Sequence, residues 1–271
     1  MKTYLINLDR SEDRLSWFMK DAGRLDLDVV RVPAVDGAYL SPAEIDAYQR
    51  MKNRGYELGR SDIASYLSHR LVWQRVAESG EPWAFVAEDD IHFSERAAPF
   101  FADAGWIPDD ADIVKAETFA VPTRISRWSN PKVFDRSISL LHCRHLGAAG
   151  YFLSAECAQR LVGWTEDYCE LADVILFDEE LGIFDRLRIY QLVPAICVQD
   201  ELVNRPDLSR GLGSVRMDDN ILTGVHIPEP DRPKRSIGRK IQRELVRPFE
   251  RLARFFVMLA TGQKMMRVPF R

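Results

Sequence analysis

Three consecutive carboxylates, Glu88, Asp89 and Asp90, close the apolar run Trp83–Ala87 in "PWAFVAEDDIHF". If that run is a strand, side chains alternate along it and Glu88 and Asp90 share a face. Two carboxylates on one face repel unless a cation lies between them. Mg²⁺ and Mn²⁺ suit such a place, because they take oxygen ligands and combine one or two carboxylates with substrate phosphates. The chemistry such a site supports is neutralisation of a diphosphate as it leaves. The plain alternative is a strand that runs into a solvated acidic turn. Two more carboxylates could act as the general base that takes a proton from an acceptor hydroxyl: Asp173 in "CELADVILFD" and Glu117 in "DIVKAETF". Either could equally cap a helix or sit in a surface ion pair. Lys115 alternates with Glu117 and could meet a carboxylate or a phosphate. Asp200 and His226 are late-chain candidates for an additional metal ligand.

The elements that must position these groups alternate. "KTYLINL" reads as a strand, "SEDRLSWFMKDAGRL" as a helix with Ser11 at its N-cap, and "DVVRVPAV" as a strand closed by Asp36-Gly37. Residues 42–54 and 61–79 read as helices, the second with Ile63, Tyr66, Leu67, Leu71 and Val72 on an apolar face. "WAFVAEDD", "ADIVKAETF" and "LGAAGYFLS" are further strands, a helix follows from Ala155, and "RIYQLVPAICVQ" is a late strand. Strand and helix in this succession imply a mainly parallel α/β sheet of Rossmann type flanked by helices. Ligands of such sheets bind at the carboxyl ends of the strands, where the acidic triplet lies. Asn7, Asp9, Arg10 and Arg14 fall at the end of the first strand and the start of the next helix, a place suited to phosphates, though also to ordinary surface pairs.

The order "YLINLDRSEDR", "PAVDG", "SYLSHRLVWQ", "FVAEDD" and then "LGAAGYFLSAECAQRLV" resembles glycosyltransferase family 25, over about residues 3 to 200. The resemblance implies a GT-A-like fold, a nucleotide-sugar donor, usually UDP-galactose, and a divalent metal, Mn²⁺ or Mg²⁺, bound through the acidic triplet. On that footing Glu88 and Asp90 hold the metal, and Asn7, Asp9, Arg10, Asp36, Gly37, Lys115 and Asp89 bind the donor. Ser68 and His69 stand behind the donor site on their helix. Asp173 lies where acceptor-side acids are expected, with Glu117 as its rival. The chain departs from the pattern before Ser68-His69: "RSDIASYLSH" has Asp62 near the usual Glu and Ser65 in place of a Cys.

Charge divides the 271 residues unevenly. Residues 232–271 hold twelve Lys/Arg against two Glu, a net of +10, so the preceding residues carry −14 of the overall −4. The expected organisation is a transferase domain over 1–226, a Pro-rich linker "IPEPDRP" over 227–233, and a basic amphipathic helical tail over 234–271. Arg239, Lys240 and Arg243 oppose Phe249 and Phe256 on that tail, which suits an anionic membrane surface; docking on the acidic body is the alternative. No nucleic-acid-binding motif accompanies the basic run. No apolar signal sequence develops before Asp9, and "FFVMLA" is too short to span a bilayer. The four dispersed cysteines read as reduced thiols. The expectation is a cytoplasmic protein, peripheral on the inner membrane face. It would move a hexose from a UDP-sugar to a lipid-linked or lipopolysaccharide-type saccharide, with inversion. A catalytically inactive relative, acting as a membrane-associated saccharide-binding or scaffold protein, is the rival.

Overall fold

In the computed structural model, residues 1–51, 57–128, 131–181, 183–203 and 256–271 are described. In chain order the elements are β1 (Lys2–Asn7), α1 (Glu12–Arg24), β2 (Asp28–Pro33), α2 (Pro42–Met51), α3 (Arg60–Glu78), β3 (Trp83–Glu88), β4 (Ile91–Phe93), α4 (Pro99–Ala102), β5 (Ile113–Lys115), β6 (Pro122–Ser126), β7 (Lys132–Val133), β8 (Arg136–Leu140), β9 (Gly150–Ser154), α5 (Ala155–Trp164), α6 (Ala172–Phe177), β10 (Ile189–Val193), β11 (Cys197–Gln199) and β12 (Gln263–Arg267).

Eight strands form one twisted sheet in the order β2-β1-β3-β9-β5-β10-β8-β7. β1 pairs in parallel with both β2 and β3, and β5 with β10; β9 and β8 run against their neighbours. The expected mainly parallel α/β sheet is therefore present, with two inverted strands. β9 runs against both β3 and β5, and its inversion brings the Gly147–Ala149 loop to the carboxyl end of β3, where Ala149 O accepts from Glu88 N at 2.9 Å.

Period-two alternation divides the core into two layers. Tyr4, Ile6, Ala84, Val86, Tyr151 and Leu153 face one way, onto α3, α5 and α6. Leu5, Phe85, Ala87 and Phe152 face the other, with Phe18 of α1 and Phe100 of α4. Burying each such side chain contributes roughly 1.5–3 kcal/mol, so the register of β3 is strongly fixed and with it the direction of the residue that ends it. β3 stops at Glu88, on the α3 side.

Ser11 occupies the N-cap of α1 as expected, without a capping side-chain hydrogen bond; its carbonyl accepts from Asn7 Nδ2 at 3.1 Å. Two local readings are corrected. The late strand is two strands, because Pro194 interrupts it and β11 leaves the main sheet to pair with β4. The tail is not helical throughout. Phe256–Ala260 is helical, but Gly262, at φ +65°, ends the helix. β12 then pairs antiparallel with β6, and Val268 is fully buried. Thr118 Oγ1 donates to the Val268 carbonyl at 2.8 Å. The expected linker, the His226 candidate, and Arg239, Lys240, Arg243 and Phe249 lie outside the described residues; Phe256 is exposed. Among the described residues no helix is long and apolar enough to cross a membrane. All four cysteines are free thiols, three of them buried.

Candidate active site

The carboxyl ends of β1 and β3, the loop after β2, the first half of α3 and the start of α6 enclose a cleft of about 620 Å³. Its walls bring together Asn7, Arg10, Asp36, Gly37, Ser68, His69, Glu88, Asp89, Asp90 and Asp173. These side chains come from segments far apart in the chain, gathered because parallel strands end at the same sheet edge.

The end of β3 separates the members of the triplet. Glu88, last residue of β3, points to α3, where its Oε1 lies 3.1 Å from His69 Nε2, while Gln199 Nε2 donates to Oε2 at 3.4 Å. Asp89 turns to the α1 side and is buried. It accepts from Asn7 Nδ2 at 2.7 Å and from Arg14 Nη1 at 3.0 Å. Burial nevertheless holds its carboxyl above the ordinary range, against the pull of those two donors. Asp89 and Asp90 lie in the turn after β3, so strand alternation does not reach Asp90. Asp90 is raised further, by burial and then by the charge of Glu88. Its Oδ2 lies 3.9 Å from Arg14, and its Oδ1 is buried with no hydrogen-bond partner. A buried carboxylate oxygen without a donor is costly, and a hard cation beside it would offset that cost.

The donor set fits Mn²⁺ or Mg²⁺ in one specific sense. Among the described residues no group of three or more His, Cys, Asp or Glu is disposed to enclose a metal ion. Glu88 and Asp90 supply hard oxygens at the cleft, and an ion of this kind fills its remaining positions with phosphate and water.

Around this floor, Arg10 pairs with Asp36 at 2.8 Å, and that hydrogen bond holds the Asp36 carboxyl below its usual value. Asp36 also accepts from Ala38 N at 3.0 Å, starting a short 3-10 turn. Gly37 is required by proximity: a Cβ there would stand 2.9 Å from Arg60 O. Ser68 accepts from Val35 N at 2.9 Å and donates to Ala64 O, tying the loop after β2 to α3. Asp173, in the first turn of α6, accepts from Gly147 N at 3.2 Å and faces the cleft.

Four expected residues stand elsewhere. Asp9 is exposed and pairs with Arg31 at 2.6 Å. Lys115 and Glu117 are fully buried beneath the cleft and meet each other at 3.1 Å. Burial pushes Glu117 up and Lys115 down. Lys115 also donates to Gly147 O, and Glu117 accepts from Ala149 N at 2.9 Å, so the pair braces the Gly147–Ala149 loop rather than touching a ligand. Lys115 does meet a carboxylate, that of Glu117, but Glu117 does not face the cleft as a candidate base: β5 ends at the right sheet edge, and the loop before β9 covers that end. Asp200 is not part of the cleft lining: its Oδ1 lies 2.6 Å from His92 Nε2, while its backbone N donates to the Asp90 carbonyl at 2.8 Å. Two cleft residues carry no signal in the sequence pattern, Arg144 and Gln199. Arg14 has the expected place after the first strand, but its partner Asp89, 75 residues distant, is not legible from spacing.

A family model described as glycosyltransferase family 25 (LPS biosynthesis protein) matches residues 1–176. The chain belongs to that family. Among similar curated proteins is the lacto-N-neotetraose biosynthesis glycosyltransferase LgtB of Neisseria meningitidis serogroup B. It is 29% identical over 171 residues, which cover 59% of this chain and 61% of the relative. The lipooligosaccharide biosynthesis protein lex-1 of Haemophilus influenzae is 26% identical over 158 residues, 55% of this chain and 52% of the relative. This family 25 chain thus spans between about half and three-fifths of the lengths of those two relatives. A solved glycosyltransferase involved in glycosylation of the major capsid of PBCV-1 overlays it with a TM-score of 0.39 at 10% identity, over 83% of this chain and 98% of that one. An overlay that loose carries no inference. The matched span of the family 25 chain contains every cleft residue named above except Gln199.

Proposed function

We propose that this chain is a metal-assisted glycosyltransferase that moves a hexose from a UDP-sugar to a lipid-linked or lipopolysaccharide-type saccharide, with inversion of configuration. The observation that carries the reading is the buried, unpartnered Asp90 Oδ1 beside Glu88, on the floor of a cleft of about 620 Å³ at the carboxyl edge of the sheet. That is room for a nucleotide sugar. Glu88 and Asp90 would hold Mn²⁺ or Mg²⁺, which when bound supplies Lewis-acid neutralisation of the departing diphosphate. The chain's own residues do the remainder. Arg10 and Arg144 offer cationic contacts for phosphate oxygens, and Arg14 offsets Asp89 so that the floor is not a bare cluster of negative charge. Asp36 and Gly37 form the edge against which the nucleoside would lie. Asp173 takes the proton from the acceptor hydroxyl as the new glycosidic bond forms.

The names of the relatives, lacto-N-neotetraose and lipooligosaccharide biosynthesis, favour a lipid-borne saccharide as acceptor. Galactose as the sugar rests on the family resemblance. A basic segment at 232–255 that contacts anionic lipid would hold the enzyme at the inner membrane face, near such an acceptor. Thermal shift with UDP, GDP and CMP, each with and without Mn²⁺, tests the donor reading. A shift confined to UDP and dependent on Mn²⁺ is expected; no response to any of the three overturns it. A UDP–Mn²⁺ response with no turnover on a panel of UDP-hexoses and saccharide acceptors would favour the inactive-relative reading.

A further inference from the structure

His69 is almost wholly buried in α3, and both its ring nitrogens are engaged. Nδ1 lies 3.1 Å from the Tyr151 hydroxyl and Nε2 lies 3.1 Å from Glu88 Oε1. The Tyr151 hydroxyl in turn accepts from Trp73 Nε1 at 2.8 Å. An indole N–H only donates, so Tyr151 oxygen receives there, and its own proton must go elsewhere. Tyr151 is completely buried, and among the described residues the one acceptor the hydroxyl meets is His69 Nδ1. Nδ1 therefore accepts, the ring proton sits on Nε2, and Nε2 donates to Glu88. A hydrogen-bond direction is thus passed from Trp73 through Tyr151 and His69 to the carboxylate at the cleft floor. The His69 and Tyr151 rings stack, with centroids 6.0 Å apart and planes 20° apart, which restricts the imidazole as well.

We propose that the Trp73–Tyr151–His69 chain fixes the tautomer of His69 and through it the orientation of the Glu88 carboxylate, making His69 and Tyr151 positioning residues for a divalent cation in the cleft. The proposal rests on the metal-assisted reading above. Outer hydrogen-bond partners of metal ligands set the ligand's orientation, and their loss costs roughly 10–100-fold in metal affinity. Two of the three links come from α3 and the third from β9, so the chain also makes the packing of that helix on the sheet a condition for the site.

The test measures Mn²⁺ binding in the presence of UDP, by electron paramagnetic resonance of the free ion, for the full chain and three variants. His69→Gln places an amide N–H near the position of Nε2 and should bind Mn²⁺ within about threefold of wild type. His69→Asn reaches only as far as Nδ1 and should weaken binding about 10–100-fold, and Tyr151→Phe should weaken it about tenfold. In the metal-free protein, ¹⁵N–¹H spectra should show His69 as the Nε2–H form in wild type and lose that single form in Tyr151→Phe. Circular dichroism of each metal-free variant checks that it is folded. If wild type binds Mn²⁺ with UDP and His69→Asn binds it equally well, the positioning role is overturned while the metal reading stands. Equal weakening in His69→Gln and His69→Asn also overturns it, since a packing defect would do that. If wild type itself binds no Mn²⁺ with UDP, both readings fall together.

Discussion

Asp90 carries two consequences that can be separated by experiment. Without a cation its carboxylate is destabilised by burial and by Glu88, so the folded state binds its proton more tightly than the unfolded chain does. Stability of the metal-free protein should therefore fall as pH rises from the ordinary aspartate value of 3.8 to the raised folded value. Asp90→Asn removes that penalty. At neutral pH its metal-free Tm should rise by about 2–4 °C, the shift that 1 kcal/mol produces in a domain of this size. The same variant should lose the UDP–Mn²⁺ thermal shift altogether. A Tm that stays level or drops in metal-free Asp90→Asn would contradict the charge argument. Asp173→Asn should keep the UDP–Mn²⁺ shift and lose about 10²–10⁴-fold in turnover, the worth of a general base; an active variant would remove Asp173 from that role. At this scale the sequence was legible where chemistry is local. The triplet, Asn7-to-Arg10 and Asp36-Gly37 announce themselves by residue type at strand ends. Lys115 and Glu117 misled because their own strand gives the right address while a loop 30 residues later covers it.

Among elements, β9 is the one whose placement the site depends on most closely. It lies between β3 and β5, and its first residue, Gly150, sits against Cys197 of β11: a Cβ at 150 would stand 2.3 Å from the Cys197 sulfur. Gly150→Ala should cost roughly 1–3 kcal/mol by overpacking. Adding Cys197→Ala should recover most of that loss, because it removes the atom in the way. Urea denaturation of the two single variants and the double variant gives the coupling; additive costs would mean the strain lies elsewhere. The long periodic elements, β1, α1, β2, α3, β3 and α5, were readable from apolar spacing. β4, β6, β7, β8 and β12 were not, since each has at most five residues and, β7 apart, pairs with a strand distant in sequence. Two-residue alternation needs more length than that to stand out from a loop.

For the molecule as a whole, the final residues are tied to the sheet and the cleft wall. β12 and Val268 are part of the body: Arg267 Nη1 donates to Ala120 O at 2.8 Å, next to Phe119 and Val121 of the cleft wall. Deleting 263–271 should therefore destabilise the protein by at least the ~1.5–3 kcal/mol of burying Val268, and it should weaken nucleotide binding. That makes truncation a poor probe of membrane contact. Replacing Arg239, Lys240 and Arg243 together by Ser should leave Tm within about 1 °C of wild type. It should also reduce co-sedimentation with anionic vesicles, with the residual binding falling as salt is raised. Undiminished co-sedimentation would favour the basic segment resting on the acidic body.

β10 comes from residues 189–193 yet lies between β5 and β8, which are both earlier in the chain. While the polypeptide is being made, those two strands emerge with their facing edges bare, and they stay so until more than fifty residues beyond β8 have followed. Bare edges of this kind recruit other chains. A fragment cut at the limit of the family match, residue 176, would keep every ingredient of the acidic floor and still leave its sheet open in the middle. Such a fragment should be recovered as aggregate, and the smallest soluble unit should extend past β10.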